Sequence, residues 1–306
     1  MMEGLIVFVL IGFAPFLFVG IINRVKAIWA GRRGAPLLQS LYDFVKLMRK
    51  GQVVSGTTSF VFRIGPTVYL GGVLLAALLT PVPGAGAVMG FAGDFLLFAY
   101  VLGLGKFFLI LSAMDTGSSF EGMGASREAT FSTIVEPAFF ILIGSLVLLT
   151  GHLSFEGIFQ TLNAISGYTV LVSSLSVLCL FLMLLTEGAR VPVDDPNTHL
   201  ELTMIHEVMV LDTSGPDLAF IQYASALKMV VVATLMAHLL VPPDLPAWAS
   251  TGLYLALLAA TAGAVGAVES LIARLRMSHV PQFIFLMTAL AWTVFASVLF
   301  FSQGDF

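Results

Sequence analysis

Residues 168–186 read YTVLVSSLSVLCLFLMLLT, a run of nineteen residues without a charged side chain, and an acidic stretch begins directly after it at Glu187. A helix needs about 20 mostly apolar residues to cross the hydrocarbon core of a bilayer. This run therefore predicts a membrane-spanning α-helix, and the repetition of such runs along the chain decides the fold class.

Eight stretches of this kind occur in the 306 residues: 4–22, 67–89, 94–114, 134–150, 168–186, 217–241, 252–272 and 280–301. Pro81 and Pro83 predict a kink or an early end in the second stretch. We expect the first to be a retained helix, because it lacks the basic leader and the Ala-x-Ala-like exit of a signal peptide. The prediction is an all-α, polytopic membrane helix bundle with about eight transmembrane helices, forming one integral membrane domain over 1–306.

The composition agrees with this class. Hydrophobic residues make up 58% of the chain and charged residues 10%, whereas an average soluble protein carries roughly 25% charged residues. The net charge of −4 argues against a nucleic-acid binder that neutralises phosphates. The single cysteine, Cys179, excludes a disulfide scaffold, a thiolate zinc site and a cysteine-ligated iron–sulfur cluster within this chain, and we interpret it as a packing residue.

The basic residues predict how the bundle is oriented. Twelve of the fourteen lysines and arginines lie in odd-numbered connections between the predicted spans: Arg24, Lys26, Arg32, Arg33, Lys46, Arg49, Lys50, Arg63, Arg127, Arg190, Arg274 and Arg276. The even-numbered connections and both tails contain none. Because basic loops remain on the cytoplasmic side, we expect a multi-pass protein of the inner membrane with both termini outside.

The first cytoplasmic loop, 23–66, contains an amphipathic segment at 36–50. Pro36 is suited to the first turn of a helix and Gly51 to its end. At 100° per residue the apolar side chains gather on one arc (Leu37, Leu38, Leu41, Phe44, Val45 and Met48), opposite Gln39, Asp43, Lys46 and Lys50. We expect a helix in the headgroup plane, acting as a lipid anchor or lining the entrance to a site beside a cytoplasmic partner.

The second cytoplasmic loop, 187–216, is acidic. Its carboxylates are Glu187, Asp194, Asp195, Glu201, Glu207 and Asp212, against one basic side chain, Arg190. Thr198 and Glu201 fit a capping box, which predicts a helix that begins near His199. His199 and His206 share a face of that helix, but no cysteine accompanies them and the His-Glu-x-x-His pattern is absent, so we predict no metal site. We expect this loop to fold back against the bundle.

The charged residues within the spans include Asp94, Lys106, Glu136, Lys228 and Glu269. An ionisable group at the bilayer centre costs about 2.5–3.5 kcal/mol even on the lenient insertion scale. We therefore expect these side chains to face the bundle interior and to mark an ion or proton route. Carboxylates crowded in the neighbouring loop hold or release a proton according to the charges around them, as a proton path requires.

Four motifs resemble those of subunit 1 of respiratory complex I, and more closely its counterpart in membrane-bound nickel–iron hydrogenases, the formate hydrogenlyase subunit 4 type. In chain order they are Arg32-Arg33-Gly-Ala-Pro-Leu-Leu-Gln with Asp43 and Lys46; Asp115-Thr-Gly-Ser-Ser-Phe-Glu with Gly124-Ala-Ser-Arg127-Glu128; Glu136; and Glu187-x-x-Arg190-x-Pro192-x-Asp194 through Glu201 and Glu207. The resemblance covers essentially the whole chain.

The resemblance implies a membrane anchor on which a cytoplasmic redox arm docks and where a proton route begins. With the embedded charges, the expected route residues are Glu136, Glu187, Asp194, Asp195, Glu201, Glu207, Lys228, Asp94 and Lys106. The expected gating or structural partners are Arg127, Arg190, His199 and His206. The expected docking residues are Arg32, Arg33, Asp43, Lys46, Asp115 and Glu121.

The chain itself is expected to be non-catalytic and to hold no cofactor. The resemblance implies hydrogenase-like large and small subunits, iron–sulfur subunits and antiporter-like membrane subunits as partners. Iron–sulfur clusters and a nickel–iron site are expected in these partner subunits rather than in this chain. Two departures favour the hydrogenase branch: Gly34-Ala35-Pro36 replaces Gly-Pro-Asn, and Pro192-Val-Asp-Asp-Pro-Asn replaces Pro-Phe-Asp-Leu-Pro-Glu. A quinone-site-forming subunit of a complex I-like dehydrogenase and a free-standing secondary transporter remain as alternatives.

Overall fold

The computed structural model describes residues 2–164, 167–195, 204–242 and 244–303. Within these ranges the chain forms α1 (Met2–Trp29), α2 (Gln39–Met48), α3 (Phe60–Leu79), α4 (Asp94–Asp115), α5 (Ser119–Thr150), α6 (Phe155–Ala164), α7 (Thr169–Glu187), α8 (Gly215–His238), α9 (Ala247–Leu271) and α10 (Val280–Gln303). Two 3-10 turns, Glu207–Val210 and Met277–His279, lie in the connections. The predicted all-α fold is confirmed.

Eight of the helices in the described ranges are long and apolar enough to cross a membrane: α1, α3, α4, α5, α7, α8, α9 and α10. The second span ends at Leu79, as expected from Pro81, since proline cannot continue the ladder of backbone hydrogen bonds. Helix α5 begins at Ser119 rather than at the predicted 134. Its first four turns carry polar residues that pack inside the protein. The length of the apolar run therefore predicted too short a helix.

The connections divide between two ends of the bundle. One end holds the α1–α3, α4–α5, α7–α8 and α9–α10 connections. We call it the basic end, because the lysines and arginines that lie in connections between helices are all at this end. Helix α2 lies at this end and buries none of its residues. The opposite end contains α6, a short helix that the sequence pattern did not predict in the 151–167 connection.

Helix α8 is the central helix. Almost three quarters of its apolar window is buried, and it contacts α1, α2, α3, α7 and α9. Helices α3 and α4 pack most closely, and a Cβ atom added to Gly72 of α3 would lie 2.6 Å from the carbonyl oxygen of Val101 in α4. A bare backbone at Gly72 is therefore required for this helix pair, as is common for small residues in membrane interfaces.

The connection between α7 and α8 folds back into the basic end of the bundle, as predicted. Arg190, Val193 and Asp194 are all buried, and the backbone amide of Leu275 donates a hydrogen bond of 2.9 Å to the carbonyl oxygen of Pro192. The predicted helix beginning near His199, with Glu201, lies outside the described residues. Since the segment from Arg190 to Asp194 is buried against the other helices, this loop belongs to the bundle rather than to a separate surface domain.

The contact between α3 and α4 predicts a difference between two adjacent glycines. Gly72→Ala forces its Cβ against Val101, so we expect a loss of about 1–3 kcal/mol in the free energy of unfolding, as for overpacked cores. Gly71→Ala is the matched control, because nothing lies within 4 Å of a Cβ there and alanine favours helix. Thermal unfolding in detergent measures both. Equal melting temperatures for the two variants would contradict the close contact.

Candidate functional site

Seven charged side chains form a continuous series of contacts at the basic end of the bundle. We call this series the charge chain; its members, in order of contact, are Lys228, Glu187, Lys106, Glu128, His206, Asp194 and Arg274. They come from α8, α7, α4, α5, the α7–α8 loop and the α9–α10 connection. Residues far apart in sequence therefore meet along one path from the loop into the membrane-spanning helices.

The membrane-embedded half of the charge chain centres on Glu187, the last residue of α7. One carboxylate oxygen lies 2.6 Å from Nζ of Lys106 and the other 3.1 Å from Nζ of Lys228. Nζ of Lys106 also lies 3.3 Å from Oε1 of Glu128. Each lysine is thus neutralised by a carboxylate, as a charge removed from water requires.

Glu128 joins this half to the loop. Its Oε1 atom accepts a hydrogen bond of 3.3 Å from the Ser132 hydroxyl one turn further along α5. Its Oε2 atom lies 3.2 Å from Nε2 of His206. The other ring nitrogen, Nδ1, lies 3.3 Å from Oδ2 of Asp194. One imidazole therefore bridges a carboxylate of a spanning helix and a carboxylate of the loop.

The charges around His206 favour its protonated form. Burial opposes a charged imidazole, but the carboxylates of Glu128 and Asp194 outweigh burial and raise the pKa of His206 to about 9. Burial likewise opposes a charged Asp194, yet hydrogen bonds from His206 and the charge of Arg274 lower the pKa of that carboxyl group. At neutral pH His206 is an imidazolium that donates from both ring nitrogens.

A second ion cluster fixes the loop from the other side. The side chain of Glu269 in α9 is fully buried. Its carboxylate lies 2.7 Å from Nζ of Lys26 and 3.3 Å from Nη1 of Arg190. Arg190 in turn accepts backbone hydrogen bonds from Val193 and Asp194 at its carbonyl oxygen. The turn that carries Asp194 is thereby attached to α1 and α9 as well as to the charge chain.

Several predicted site residues lie in the charge chain or beside it. Glu187, Asp194, Lys106, Lys228 and His206 are members of the charge chain.

Other predicted residues make contacts beside the chain. Arg190 binds Glu269, and Arg127 donates a hydrogen bond of 2.8 Å to the carbonyl oxygen of Met204. Asp195 follows Asp194 and donates its backbone amide to it. Glu207 is half-buried within the loop, at the first residue of its 3-10 turn.

Two embedded acids lie elsewhere. Glu136 is exposed on α5, so the expectation that every embedded charge faces the interior is wrong for this residue. The physical reason is the helix period, since Glu136 is one residue past the buried Val135 and points about 100° away from it. Asp94 is buried at the opposite end, where its Oδ1 atom accepts a hydrogen bond of 2.9 Å from the amide of Phe155.

The predicted docking residues divide into two groups. Arg32, Arg33, Asp43 and Lys46 are exposed at the basic end.

Asp115 instead stabilises the start of α3, because its Oδ2 atom accepts hydrogen bonds from the amides of Ser59 and Phe62. Glu121 is fully buried and accepts a hydrogen bond of 2.9 Å from the amide of Asp212. Its side chain therefore offers no accessible docking surface, which corrects the expectation for Glu121.

Sequence reasoning gave no site role to three residues of these clusters, Glu128, Lys26 and Arg274, and it expected Glu269 to face the bundle interior without identifying its partners. Glu128 was recognised only as part of a motif, yet the helix period places it on one stripe of α5 with the buried residues Glu121, Ala125, Ser132 and Val135. That periodicity was the available signal. For Glu269 and Arg274 the partners lie about 80 residues away in the chain, and no local pattern identifies them.

The charge chain is not arranged as a metal site. Among the residues that the structure describes, no three side chains of His, Cys, Asp or Glu converge as a metal ion requires. Glu128 and Asp194 contact opposite nitrogens of the His206 ring, so they do not point to a common centre. The arrangement is suited to holding and shifting charge.

These features define a class: a polytopic membrane protein whose spanning helices enclose ion-paired acids and bases. The model of a protein family described as NADH dehydrogenase matches residues 2–299. The chain belongs to this family, whose members include complex I subunit 1. The resemblance inferred from the sequence motifs is confirmed.

Two relatives come from Escherichia coli strain K12. Hydrogenase-4 component C is 32% identical over 226 residues, which cover 74% of this chain and 70% of the relative. Formate hydrogenlyase subunit 4 is 29% identical over 300 residues, which cover 95% of this chain and 96% of that relative. A subunit of the NADH-quinone oxidoreductase of Rhodospirillum rubrum is 28% identical over 175 residues, which cover 56% of this chain and 51% of that relative.

A solved structure shows the same fold. A chain of the membrane-bound sulfane sulfur reductase, an archaeal respiratory membrane complex, superimposes with a TM-score of 0.82 over 97% of this chain and 98% of that chain, at 18% identity. With eight candidate spans and relatives that are components of membrane complexes, the chain is a multi-pass membrane protein.

The imidazole bridge predicts a pH-dependent contribution to stability. Because the pKa of His206 in the folded protein is raised from 6.5 to about 9, its stabilising effect is complete below about pH 6.5 and disappears as the pH rises through about 9. We expect His206→Gln to lower the melting temperature at pH 6.5 by roughly 2–6 °C, with the difference from the parent protein shrinking towards pH 10.

Melting curves in detergent between pH 6 and 10 measure this difference. His279→Gln is the matched control, since His279 is exposed at the same end of the bundle and should change the curve little at any pH. A His206→Gln deficit that stays constant over this range would show that His206 does not carry the bridging charge.

Proposed function

We propose that this chain is the membrane anchor and proton-conducting subunit of a multi-subunit redox complex of the membrane-bound hydrogenase or formate hydrogenlyase type. It catalyses no reaction itself and couples electron transfer in a cytoplasmic arm to ion translocation. The observation that carries the proposal is the unbroken charge chain, which joins the buried turn at Asp194 to Lys228 inside the membrane. The names of the E. coli relatives support the type of complex.

The depth of Lys228 supports a route rather than a surface cluster. This residue lies 13 residues after Gly215, the start of α8, which corresponds to about 20 Å along the helix at ~1.5 Å per residue. Its ammonium group is buried and also lies 5.9 Å from the centre of the Tyr69 ring. A charge change at the loop is thereby connected to a group near the middle of the bilayer.

The balance of charges suits a system that responds to one proton. With His206 protonated the charge chain holds four cations and three anions, and loss of that proton makes the chain neutral. Two unit charges about 3 Å apart interact by roughly 5 kcal/mol at an effective dielectric constant near 20. Each contact is short enough for protonation of one member to alter the proton affinity of the next.

The docking surface for the arm is proposed at the basic end, facing the cytoplasm with both termini outside. Arg32, Arg33, Asp43 and Lys46 are exposed there, and the loop that carries Asp194 reaches the same end, where its Arg190 lines one cavity with Asp43. Contact of the arm with this loop would move Asp194 relative to His206. Partner subunits would carry the iron–sulfur clusters and the nickel–iron site.

A second candidate function is favoured by a cavity of about 350 Å³ between α1, α2, α8 and the loop. Asp43, Arg190, His206 and Glu207 line it, and relatives of this chain include a component of NADH-quinone oxidoreductase. A quinone headgroup is of suitable size and polarity. The chain would then form part of a quinone site while keeping its role as membrane anchor.

The reaction of the purified complex distinguishes the two candidates. Hydrogen evolution from a reduced carrier, without reduction of an added short-chain quinone, supports the hydrogenase type. Quinone reduction that is lost in Arg190→Gln supports the second candidate, because Arg190 faces the cavity. The melting temperature of Arg190→Gln must be measured alongside, since Arg190 also binds Glu269.

The charge chain predicts uncoupling by neutral substitutions. We expect Glu187→Gln and Glu128→Gln to lower the number of protons translocated per electron by about tenfold or more, because amides transfer no proton. Glu156→Gln is the matched control, since Glu156 is exposed on α6 at the opposite end, where Gln160 donates a hydrogen bond to it. Electron transfer with the gradient dissipated should remain within about twofold of the parent.

Vesicles containing the complex allow both quantities to be measured, proton uptake with a pH-sensitive dye and electron transfer from hydrogen evolution. An unchanged ratio of protons to electrons in both chain variants would reject the route. A fall of equal size in Glu156→Gln would show that the effect is not specific to the charge chain.

A further inference from the structure

The side of the bundle contains a crevice that the proposed proton route does not explain. It has a volume of about 410 Å³ and lies between α4, α5, α7 and α8. Five aromatic side chains line it: Phe98, Tyr100, Phe107, Phe139 and Phe140. Tyr100 is 70% exposed and Phe107 54% exposed, so the aromatic rim faces outward from the bundle at the level of the spanning helices.

The carboxylate of Glu136 lies on the rim of this crevice. Among the described residues it has neither a hydrogen bond nor an ion pair, and its side chain is exposed. Glu136 precedes Thr150, the end of α5, by 14 residues, or about 21 Å at ~1.5 Å per residue. A carboxylate at this depth is strongly disfavoured against lipid chains and is normally paired within protein.

The floor of the crevice is formed by the membrane end of the charge chain. Lys106, Glu187 and Lys228 all line it, and their side chains retain 11%, 17% and 5% exposure. An uncovered crevice would bring acyl chains against these ion pairs. Both its rim and its floor therefore require a polar occupant rather than hydrocarbon alone.

The charges of the crevice indicate what the occupant carries. The two lysines on the floor are paired with Glu187 and Glu128, so among the described residues neither of them forms an ion pair with Glu136. We propose that the crevice receives a transmembrane helix of a partner subunit that presents a hydrogen-bond-donating side chain to Glu136. The proposal rests on the multi-subunit assembly proposed above.

The architecture of α4 is consistent with such a helix. Gly103 lies opposite Glu136, and a Cβ atom there would be 3.7 Å from the carboxylate oxygen, so the residue of α4 at this position has no side chain that could pair with the acid. A lipid acyl chain offers no donor to the carboxylate. A second copy of this chain placed symmetrically would bring one Glu136 towards another, and like charges repel.

A photo-cross-linking amino acid tests the occupant directly. p-Benzoylphenylalanine replaces Tyr100, an exposed aromatic residue of the rim, in the complete complex in its native membrane. Leu255 is the control position, because it is 48% exposed on α9, a helix that packs against α1 and α8. We expect the Tyr100 position to capture a transmembrane segment of another subunit that the Leu255 position does not capture.

Mass spectrometry of the product identifies the captured segment, which should contain a lysine, arginine, histidine or other donor at the cross-linked depth. Capture of lipid alone, of a second copy of this chain, or of one segment from both positions would overturn the proposal. A chain that purifies alone from native membranes would instead reject the proposed multi-subunit function, so the two failures are distinguishable.

Substitutions of Glu136 provide the second measurement. Glu136→Leu removes the acceptor, and we expect about fivefold or greater loss of the captured subunit after a detergent wash, as for loss of an interhelical hydrogen bond. Glu136→Gln keeps an acceptor oxygen and should retain most of it. Glu156→Leu, which changes an exposed acid outside the crevice, should have no effect. Full retention in Glu136→Leu would overturn the proposed contact.

Discussion

An ion that has left water must have a counter-ion within a few ångströms, and this requirement determines which helices of the bundle approach one another. Lys228 and Lys106 lie on different helices and both contact Glu187, the last residue of a third. Replacing Glu187 by a neutral residue removes the carboxylate that pairs with Lys228, and an unpaired charge in a medium of low dielectric constant costs more than the pair itself stabilises. The basic end of the bundle is therefore specified by charge, whereas apolar packing specifies the remainder.

The fold was largely predictable because its cause is local. An apolar run of sufficient length must span the bilayer as a helix, since the backbone has no other way to satisfy its hydrogen bonds there. Helix ends were less predictable: α5 extends fifteen residues before the predicted start, and α6 was not expected. In both places polar residues are stabilised by contacts with distant segments, which a window of sequence does not contain.

The site was predictable in its members more than in its arrangement. Counting charges within the spans identified Lys106 and Lys228, and the composition of the acidic loop identified Glu187, but neither observation indicated that both lysines share one carboxylate. The same count grouped Glu136 with them. Glu136 follows Glu128 by eight residues on α5, and at about 100° per residue its side chain points outward while that of Glu128 points inward. Periodicity within α5 would have distinguished these two acids. The contact of Asp194 with Arg274 depends on tertiary structure and could not have been read from either segment.

The position of the charge chain divides the bundle into two dielectrically different halves. Beyond Lys228, the residues from Met229 to Ala237 of α8 are all buried, and Thr234 is the one polar side chain among them. A voltage across the membrane falls mainly where polarisable groups are absent, and therefore across this apolar half. On the proposed route, charge moving between Asp194 and Lys228 would work against little of the electric field, whereas a proton leaving Lys228 towards the other face would work against most of it, at about 2.3 kcal/mol per 100 mV for the whole drop.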